Sequence, residues 1–344
     1  MSERGPADGA GRVATLSDVA RAAGVSLPTA SKAMNGRSHV KAETRARVFE
    51  AAERLAFQGN QPGRGLFAGR AGTVGLLASD LGRKSSLRVL MGAEEALGAE
   101  QTGVFLCDAR GDVIREQHHA KGLLSRRVDG LIVVGARTDL RPSLGRGLPV
   151  PVVYAYAPSE DPQDISVASD DVGGGALAIE HLITQGRKRI AHISGDINYK
   201  AARDRAKGAV TALTSAGLEL AGDRVLFGTW DESWGRGATR MLLSQAPEVD
   251  AVFAGSDQIA RGVLEAAKEH ERTVPSDIAI VGFDNLDLLV ANARPELTSV
   301  DMQLEEIGAL AVNRLFAAID GFPRSGVETV PSRVVQRGST APLD

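Results

Sequence analysis

The residues with the most readable chemistry lie between Thr15 and Gly36. Val19, Ala20 and Ala23 share one face of a first short helix. Gly24 ends that helix, because glycine takes a left-handed turn at low cost. Val25 fills the corner and Ser26 is placed to cap a second helix. Pro28 falls in the first turn of this second helix, where its missing N–H loses nothing. Ala30, Ala33 and Met34 can pack inward. Leu27, Pro28, Thr29, Ser31 and Lys32 are left outward, on the face that a recognition helix lays in a DNA major groove. On spacing alone the segment also fits an ordinary helical hairpin.

Catalytic patterns are missing. The histidines are His39, His118, His119, His181, His192 and His270, and none sits in a His-Glu-x-x-His or similar metal pattern. His118 and His119 are adjacent and point to different helix faces, as on a solvated surface. No Gly-x-Ser-x-Gly elbow is present. Gly173 to Gly175 lacks the Gly-x-Gly-x-x-Gly spacing, and no Gly-Lys-Ser/Thr follows, so a nucleotide loop is poorly supported. Cys107 is the single cysteine and forms no internal disulfide or thiolate cluster. Its apolar neighbours suggest a small buried core residue. The expectation is a chain that is not an enzyme and uses no cofactor or metal.

Composition sets the frame for these residues. With 344 residues, 43% hydrophobic and 24% charged, the chain reads as soluble and globular, with two or three domains. It has no run of about 18 apolar residues that could span a membrane. The polar, Gly/Ala-rich residues 1–11 lack the apolar stretch of a secretory signal, which predicts a cytoplasmic protein. The net charge of −3 argues against nucleic acid, but its distribution does not. Residues 1–70 hold 11 Lys or Arg against 6 Asp or Glu, while the rest holds 29 against 37. A basic head on an acidic body suggests that only the head meets DNA.

Residues 15–57 read as three short helices, followed by a linker-like Gly59-Asn60-Gln61-Pro62-Gly63-Arg64-Gly65. From Thr73 onward, apolar runs at 74–78, 104–107, 131–134, 150–154, 190–193, 251–253 and 278–283 read as parallel strands buried on both faces. Helical patterns at 87–99, 174–185, 201–216, 233–244 and 258–270 alternate with them. This alternation predicts a doubly wound α/β domain. About 270 residues is large for one core, so two lobes are expected.

The head resembles that of the lactose-repressor (LacI/GalR) family of bacterial regulators. The likeness continues through His39-Val40, Glu43-Thr44-Arg45 and Val48-Phe49-Glu50-Ala51-Ala52 to Leu55, and extends over almost the whole chain. It implies that Leu27, Pro28 and Lys32 read bases, and that Thr15, Ser26, Thr29, Ser31, Asn35 and Thr44 meet phosphate or sugar. Leu27 and Pro28 can offer only apolar contact, such as to a thymine methyl, whereas Lys32 suits guanine O6/N7. Family hinges usually read Tyr-x-Pro-Asn-x-x-Ala-Arg-x-Leu. Here Asn60, Arg64 and Leu66 match, with Leu66 in the place of the minor-groove wedge. Gly59 and Gly63 replace the usual proline and alanine, and Gly65 adds another helix-weakening residue, each glycine costing about 1 kcal/mol against alanine. A hinge that folds only on DNA is expected; a plain linker with an idle Leu66 is the alternative.

The resemblance implies an all-α helix-turn-helix head plus an α/β two-lobed periplasmic-binding-protein-like (type I) sensor domain. Residues 1–14 would be a disordered tail, 15–58 the head, 59–71 the hinge, and 72–344 the effector-binding and dimerisation domain, with crossovers near 168, 298 and 328. Ser169-Asp170-Asp171-Val172-Gly173-Gly174-Gly175 resembles the turn at the first crossover. Arg203 to Gly208 resembles an Arg-x-x-Gly segment that places Arg205 in the cleft. Phe253 to Gln258 resembles a strand-end Asn-Asp motif, with Ser256 replacing Asn, and makes Asp257 the second cleft residue. Trp230 matches an aromatic that lies against the ligand. Asp80, Tyr156 and Asp284 are added as end-of-strand residues, which often line the crevice of such sheets; Asp284 fits a turn cap equally well. Arg donates in a fixed fork and a carboxylate accepts from adjacent hydroxyls, a pairing suited to a polyol. The implied function is a regulator, in the form of a homodimer on a pseudo-palindromic operator, controlled by a small-molecule effector. A sugar is favoured; a nucleobase or another metabolite stays open. A solute-binding protein of the same core fold is the other reading, and the head and the missing signal oppose it.

Overall fold

The structure, a computed structural model, describes residues 14–34, 40–55 and 71–340. The chain divides into two compact units, which part between Gly72 and Thr73. The hinge residues Asn60, Arg64 and Leu66, and also Asn35, lie outside the described residues.

In the first unit, α1 (Leu16–Ala22), α2 (Leu27–Met34) and α3 (Ala42–Arg54) close on one small core. Val19, Ala30, Ala33 and Val48 are fully buried there, with Val25, Met34 and Leu55 packed at its edge. These are mostly small side chains, so three short helices can approach closely. Thr15 starts α1 through a capping box with Asp18. Gly24 takes φ +64 at the turn. The Ser26 hydroxyl accepts from the Thr29 amide at 3.3 Å and so starts α2.

The second unit holds two six-stranded sheets. The first contains β1 (Thr73–Ala78), β2 (Gly103–Asp108), β3 (Gly130–Val134), β4 (Val152–Ala155), β5 (Ile165–Ser169) and β11 (Gly326–Val330), in the order β11-β5-β4-β3-β1-β2. The second contains β6 (Ile190–Ser194), β7 (Leu226–Phe227), β8 (Ala251–Ala254), β9 (Ala279–Phe283), β10 (Thr298–Asp301) and β12 (Arg333–Val335), in the order β12-β10-β9-β8-β6-β7. All pairings are parallel except β10 with β12. The chain passes between sheets three times: after Ser169, after Asp301 and between Val330 and Arg333. Two α/β lobes result, each formed from separate stretches of chain.

Helices cover the sheets: α4 (Lys84–Ala99), α5 (Val113–Ser125) and α11 (Leu304–Ile319) on the first, and α6 (Asp171–Thr184), α7 (Lys200–Ser215), α8 (Glu232–Gln245) and α9 (Asp257–Glu269) on the second, with the short α10 (Asp287–Val290) after β9. Three helix pairs make close crossings, α4 with α11, α6 with α7, and α8 with α9. Each crossing has a glycine on both sides: Gly92 and Gly308, Gly175 and Gly208, Gly235 and Gly262. A Cβ at any of these would overlap a backbone carbonyl of the partner helix. Gly175 therefore serves helix packing, which explains glycine there without a phosphate loop.

The strand β2 departs from the sequence expectation. It lies at the edge of its sheet, and Val104, Phe105 and Leu106 are exposed. Cys107 is half-buried, not a core residue. A continuous apolar run looks the same whether a partner covers it within the chain or from outside. Among the described residues, no helix is long and apolar enough to cross a membrane.

Candidate nucleic-acid interface and ligand cavity

In the head, α2 presents Leu27, Pro28 and Lys32 to solvent, as their outward positions require, while Thr29, Ser31 and Thr44 are half-buried. Three hydroxyls assigned to the DNA backbone already have protein partners. Thr15 donates to the Asp18 carboxylate at 2.6 Å, and Ser26 and Thr29 share a 2.8 Å hydrogen bond. Their first role is to fix the helix starts. A phosphate contact from Thr15 would have to give up the bond to Asp18.

In the sensor, strand ends from both sheets converge on a cavity of about 290 Å³, at the small end of the roughly 300–1,000 Å³ usual for ligand sites. Arg205, Trp230, Tyr156 and Asp284 all line it. Arg205 projects from α7 and is 3% exposed. Its Nε donates to the Asp171 carboxylate at 2.8 Å, and one Nη donates to the Gly255 carbonyl at 2.6 Å and the Asp284 carboxylate at 3.3 Å. The guanidinium lies 3.7 Å over the Phe283 ring and 5.7 Å from the Trp230 ring. Burial raises the Asp284 pKa, opposed by Arg205, with the Asp171 charge adding to the rise. Burial likewise holds the Tyr156 phenol protonated. Tyr156 and Asp284 occupy positive φ, +72 and +102. Such backbone strain in non-glycine residues costs of order 1–3 kcal/mol and clusters at ligand sites.

Two of the expected cavity residues stand elsewhere. Asp257 is fully buried and does not line the cavity. It begins α9, and its carboxylate turns back onto β10 and the start of α10, accepting from Ser299 Oγ at 2.6 Å and the Leu286 amide at 2.7 Å. Its neighbours Ser256 and Gln258 reach the cavity instead. Burial and the nearby Asp284 charge push its pKa up. Asp80 also stands behind the wall: it accepts from the Gly82 amide at 2.9 Å and pairs with Arg83 at 3.5 Å, holding the loop that does line the cavity. The carboxylate facing the ligand space beside Arg205 is thus Asp284.

Several lining residues escape the motif reading: Lys84, Arg137, Thr138 and Tyr199. Arg137 and Thr138 follow the end of β3, so the strand-end rule that found Tyr156 points to them too. The two lobes touch beside the cavity. Asp139 from the first accepts from the Lys200 amide at the start of α7 at 2.9 Å, and Arg137 lies 4.2 Å over the Tyr199 ring. Behind it, Arg88 on α4 grips Glu305 through two hydrogen bonds and donates to the Asp284 carbonyl at 3.1 Å. Deeper in the second lobe, His192 stacks on Phe253 at 4.3 Å, and burial lowers its pKa to about 4. It is a neutral core residue.

Comparison with known proteins fits this geometry. Residues 15–60 match the model of the bacterial regulatory proteins of the lacI family, and residues 179–340 match a periplasmic binding protein-like domain. Catabolite control protein A of Priestia megaterium is 33% identical over 327 residues, covering 94% of this chain and 96% of that protein. The chain belongs to the lacI family. A solved structure of the Lac repressor dimer bound to operator and the anti-inducer ONPF superposes with a TM-score of 0.75 at 26% identity, covering 96% of this chain and 99% of that one. A complex of the transcriptional regulator CelR with cellobiose superposes with a TM-score of 0.62 at 30% identity, covering 95% and 99%. The lacI-family head and the two-sheet sensor therefore occur together over nearly the full length of these relatives.

Proposed function

We propose that this chain is a ligand-responsive, sequence-specific DNA-binding transcriptional regulator, a repressor whose effector is a sugar or a related small metabolite. The observation that carries the reading is the union, on one chain, of a helix with exposed Leu27, Pro28 and Lys32 and a two-lobed cavity built around Arg205, Asp284 and Trp230. Lys32 supplies direct polar readout, and Leu27 and Pro28 apolar contact. In the cavity, Asp284 accepts from ligand hydroxyls, and Trp230 covers an apolar face of the ligand. Trp230 packs on Gly195, where a side chain would displace it. Arg205 holds Asp284 and Asp171 in place. The effector acts through its different affinity for two arrangements of the lobes. Relatives at this identity with regulator names support the reading.

The working form is a homodimer on a pseudo-palindromic operator, one half-site per head. An exposed apolar surface on the first lobe supports it: Leu87 and Met91, one turn apart on α4, with Phe105 and Leu106 on edge strand β2. Such a patch on a soluble protein usually marks an interaction site, and an uncovered edge strand needs protection. The boundaries of the head (15–58) and hinge (59–71), and the minor-groove roles of Asn60, Arg64 and Leu66, belong to the same proposal.

The test is selection of bound duplexes from a random DNA pool by the full-length protein at moderate salt. An enriched palindrome is the expected result. Selection of unrelated sequences, with binding that only salt modulates, would reject sequence-specific regulation.

A further inference from the structure

We infer that the effector carries an anionic group, a phosphate or a carboxylate, on the side facing the first lobe. The inference rests on the reading of the cavity as the effector site and narrows the chemical class of the ligand.

The two walls of the cavity differ in charge. On the second-lobe wall, the Arg205 guanidinium faces two carboxylates, Asp171 and Asp284. That end has no spare positive charge and offers Asp284 as an acceptor, which suits hydroxyls. The first-lobe wall is cationic. It presents Arg83, Lys84 and Arg137. Arg83 pairs with Asp80, and Asp139 is taken up by the Lys200 amide. Among the described residues, Lys84 and Arg137 form no ion pair. Both line the cavity from segments that follow β1 and β3, hydrogen-bonded neighbours in the first sheet.

Two further features border the same space. The 16-residue helix α4 starts there, with Gly82 to Ser85 lining the cavity. No side chain caps that start and no acidic residue stands in its first turn. Its first amides have no partner within the helix and carry about half a positive charge. Thr138 is 4% exposed and lines the cavity, and its hydroxyl has no hydrogen-bond partner. A buried unpaired hydroxyl costs of order 1–3 kcal/mol, and an anionic oxygen would relieve that cost. Two cations without an ion pair, an uncapped helix start and an orphan hydroxyl form a receptor for a compact anion. The acceptor end across the cavity takes the polyol part. The ligand class is a polyol with a phosphate ester or a carboxylate at one end.

The experiment uses the full chain and its own tryptophan emission. Trp230 lines the cavity and meets Tyr199 edge-on at 5.8 Å, beneath Arg137, so an anion that draws Arg137 away is reported there. Inorganic phosphate and acetate are titrated separately, with chloride holding ionic strength constant. The expected result is a saturable change with at least one of them, weakened tenfold or more in K84Q/R137Q and retained in R224Q. Saturation by phosphate alone points to a phosphate ester, and by acetate alone to a carboxylate. No saturation by either, or equal saturation in K84Q/R137Q, overturns the inference. A neutral-sugar panel run on the same samples separates the two claims. If neither anion saturates, neutral sugars that still change the emission leave the effector cavity standing and remove the anion.

Discussion

Replacing Arg205 by alanine should destabilise the sensor by about 3–5 kcal/mol, the cost of leaving one member of a buried ion pair alone. The structure supplies the reason. The Arg205 side chain donates at 2.8 Å to Asp171, whose side chain is only 2% exposed. Without it, Asp171 keeps one long bond from Ser169, at 3.4 Å. Asp284, whose pKa burial already raises, loses the cation that opposes the shift. The Gly255 carbonyl loses a 2.6 Å donor, and the Phe283 ring loses the group stacked 3.7 Å above it. Urea unfolding followed by circular dichroism measures the loss. Asp171→Asn in the Arg205→Ala background should recover at least about 1 kcal/mol, because it neutralises the stranded carboxylate. A loss under about 1 kcal/mol for Arg205→Ala, or no recovery in the double variant, would refute the reasoning. The prediction also sets a control: lost effector response in Arg205→Ala is evidence of ligand contact only at temperatures where the variant remains folded.

Four further outcomes follow from particular positions. Gly175→Ala should cost about 1–3 kcal/mol by overpacking, because its Cβ would overlap the backbone of Arg205. Gly237→Ala in α8 meets nothing within 4 Å and should gain up to about 1 kcal/mol from helix propensity; thermal melts compare the two. Asp257 holds its proton more tightly folded than unfolded, since burial raises its pKa. Its contribution is complete below the ordinary carboxylate pKa of about 3.9 and is lost as pH rises through the raised folded value. Asp257→Asn should therefore flatten the fall in stability from acid toward alkaline pH, and an unchanged slope in urea titrations across that range would contradict the assignment. Lys32→Ala should relax preference at one base pair of the selected duplex by about 1–3 kcal/mol; a uniform loss over all sequences would make Lys32 a phosphate contact.

Much of the fold is legible in the chain because its signals are local. Apolar runs such as Leu131 to Val134 become strands buried on both faces, and the Gly24–Ser26 corner becomes a tight turn between helices. The cavity is less legible because it depends on direction. Asp257 and Asp284 both follow strand ends, yet Asp257 turns back onto Ser299 while Asp284 faces the open space. Nothing in either local sequence distinguishes them. Glycines 173 to 175 hint at a phosphate loop, but the use of Gly175 appears only when α7 is laid across α6. The apolar surface of β2 is ambiguous for the same reason, since its cover does not come from the same sheet. Arg137 and Thr138 carry no motif, and the closure of the two lobes brings them to the ligand space.

The central claim is that occupancy of the cavity controls the head. Its most direct test is the affinity of full-length protein for its selected duplex at fixed salt. The measurement is made with and without a saturating metabolite chosen because it changes Trp230 emission, in wild type and in Asp284→Asn. The account predicts a coupling of about 1–3 kcal/mol, a change of roughly 5- to 150-fold in DNA affinity, in wild type. In Asp284→Asn it predicts that the metabolite concentration needed rises at least tenfold, with little change in the affinity of the unliganded protein for DNA. Identical DNA affinity with the cavity empty and filled would contradict it.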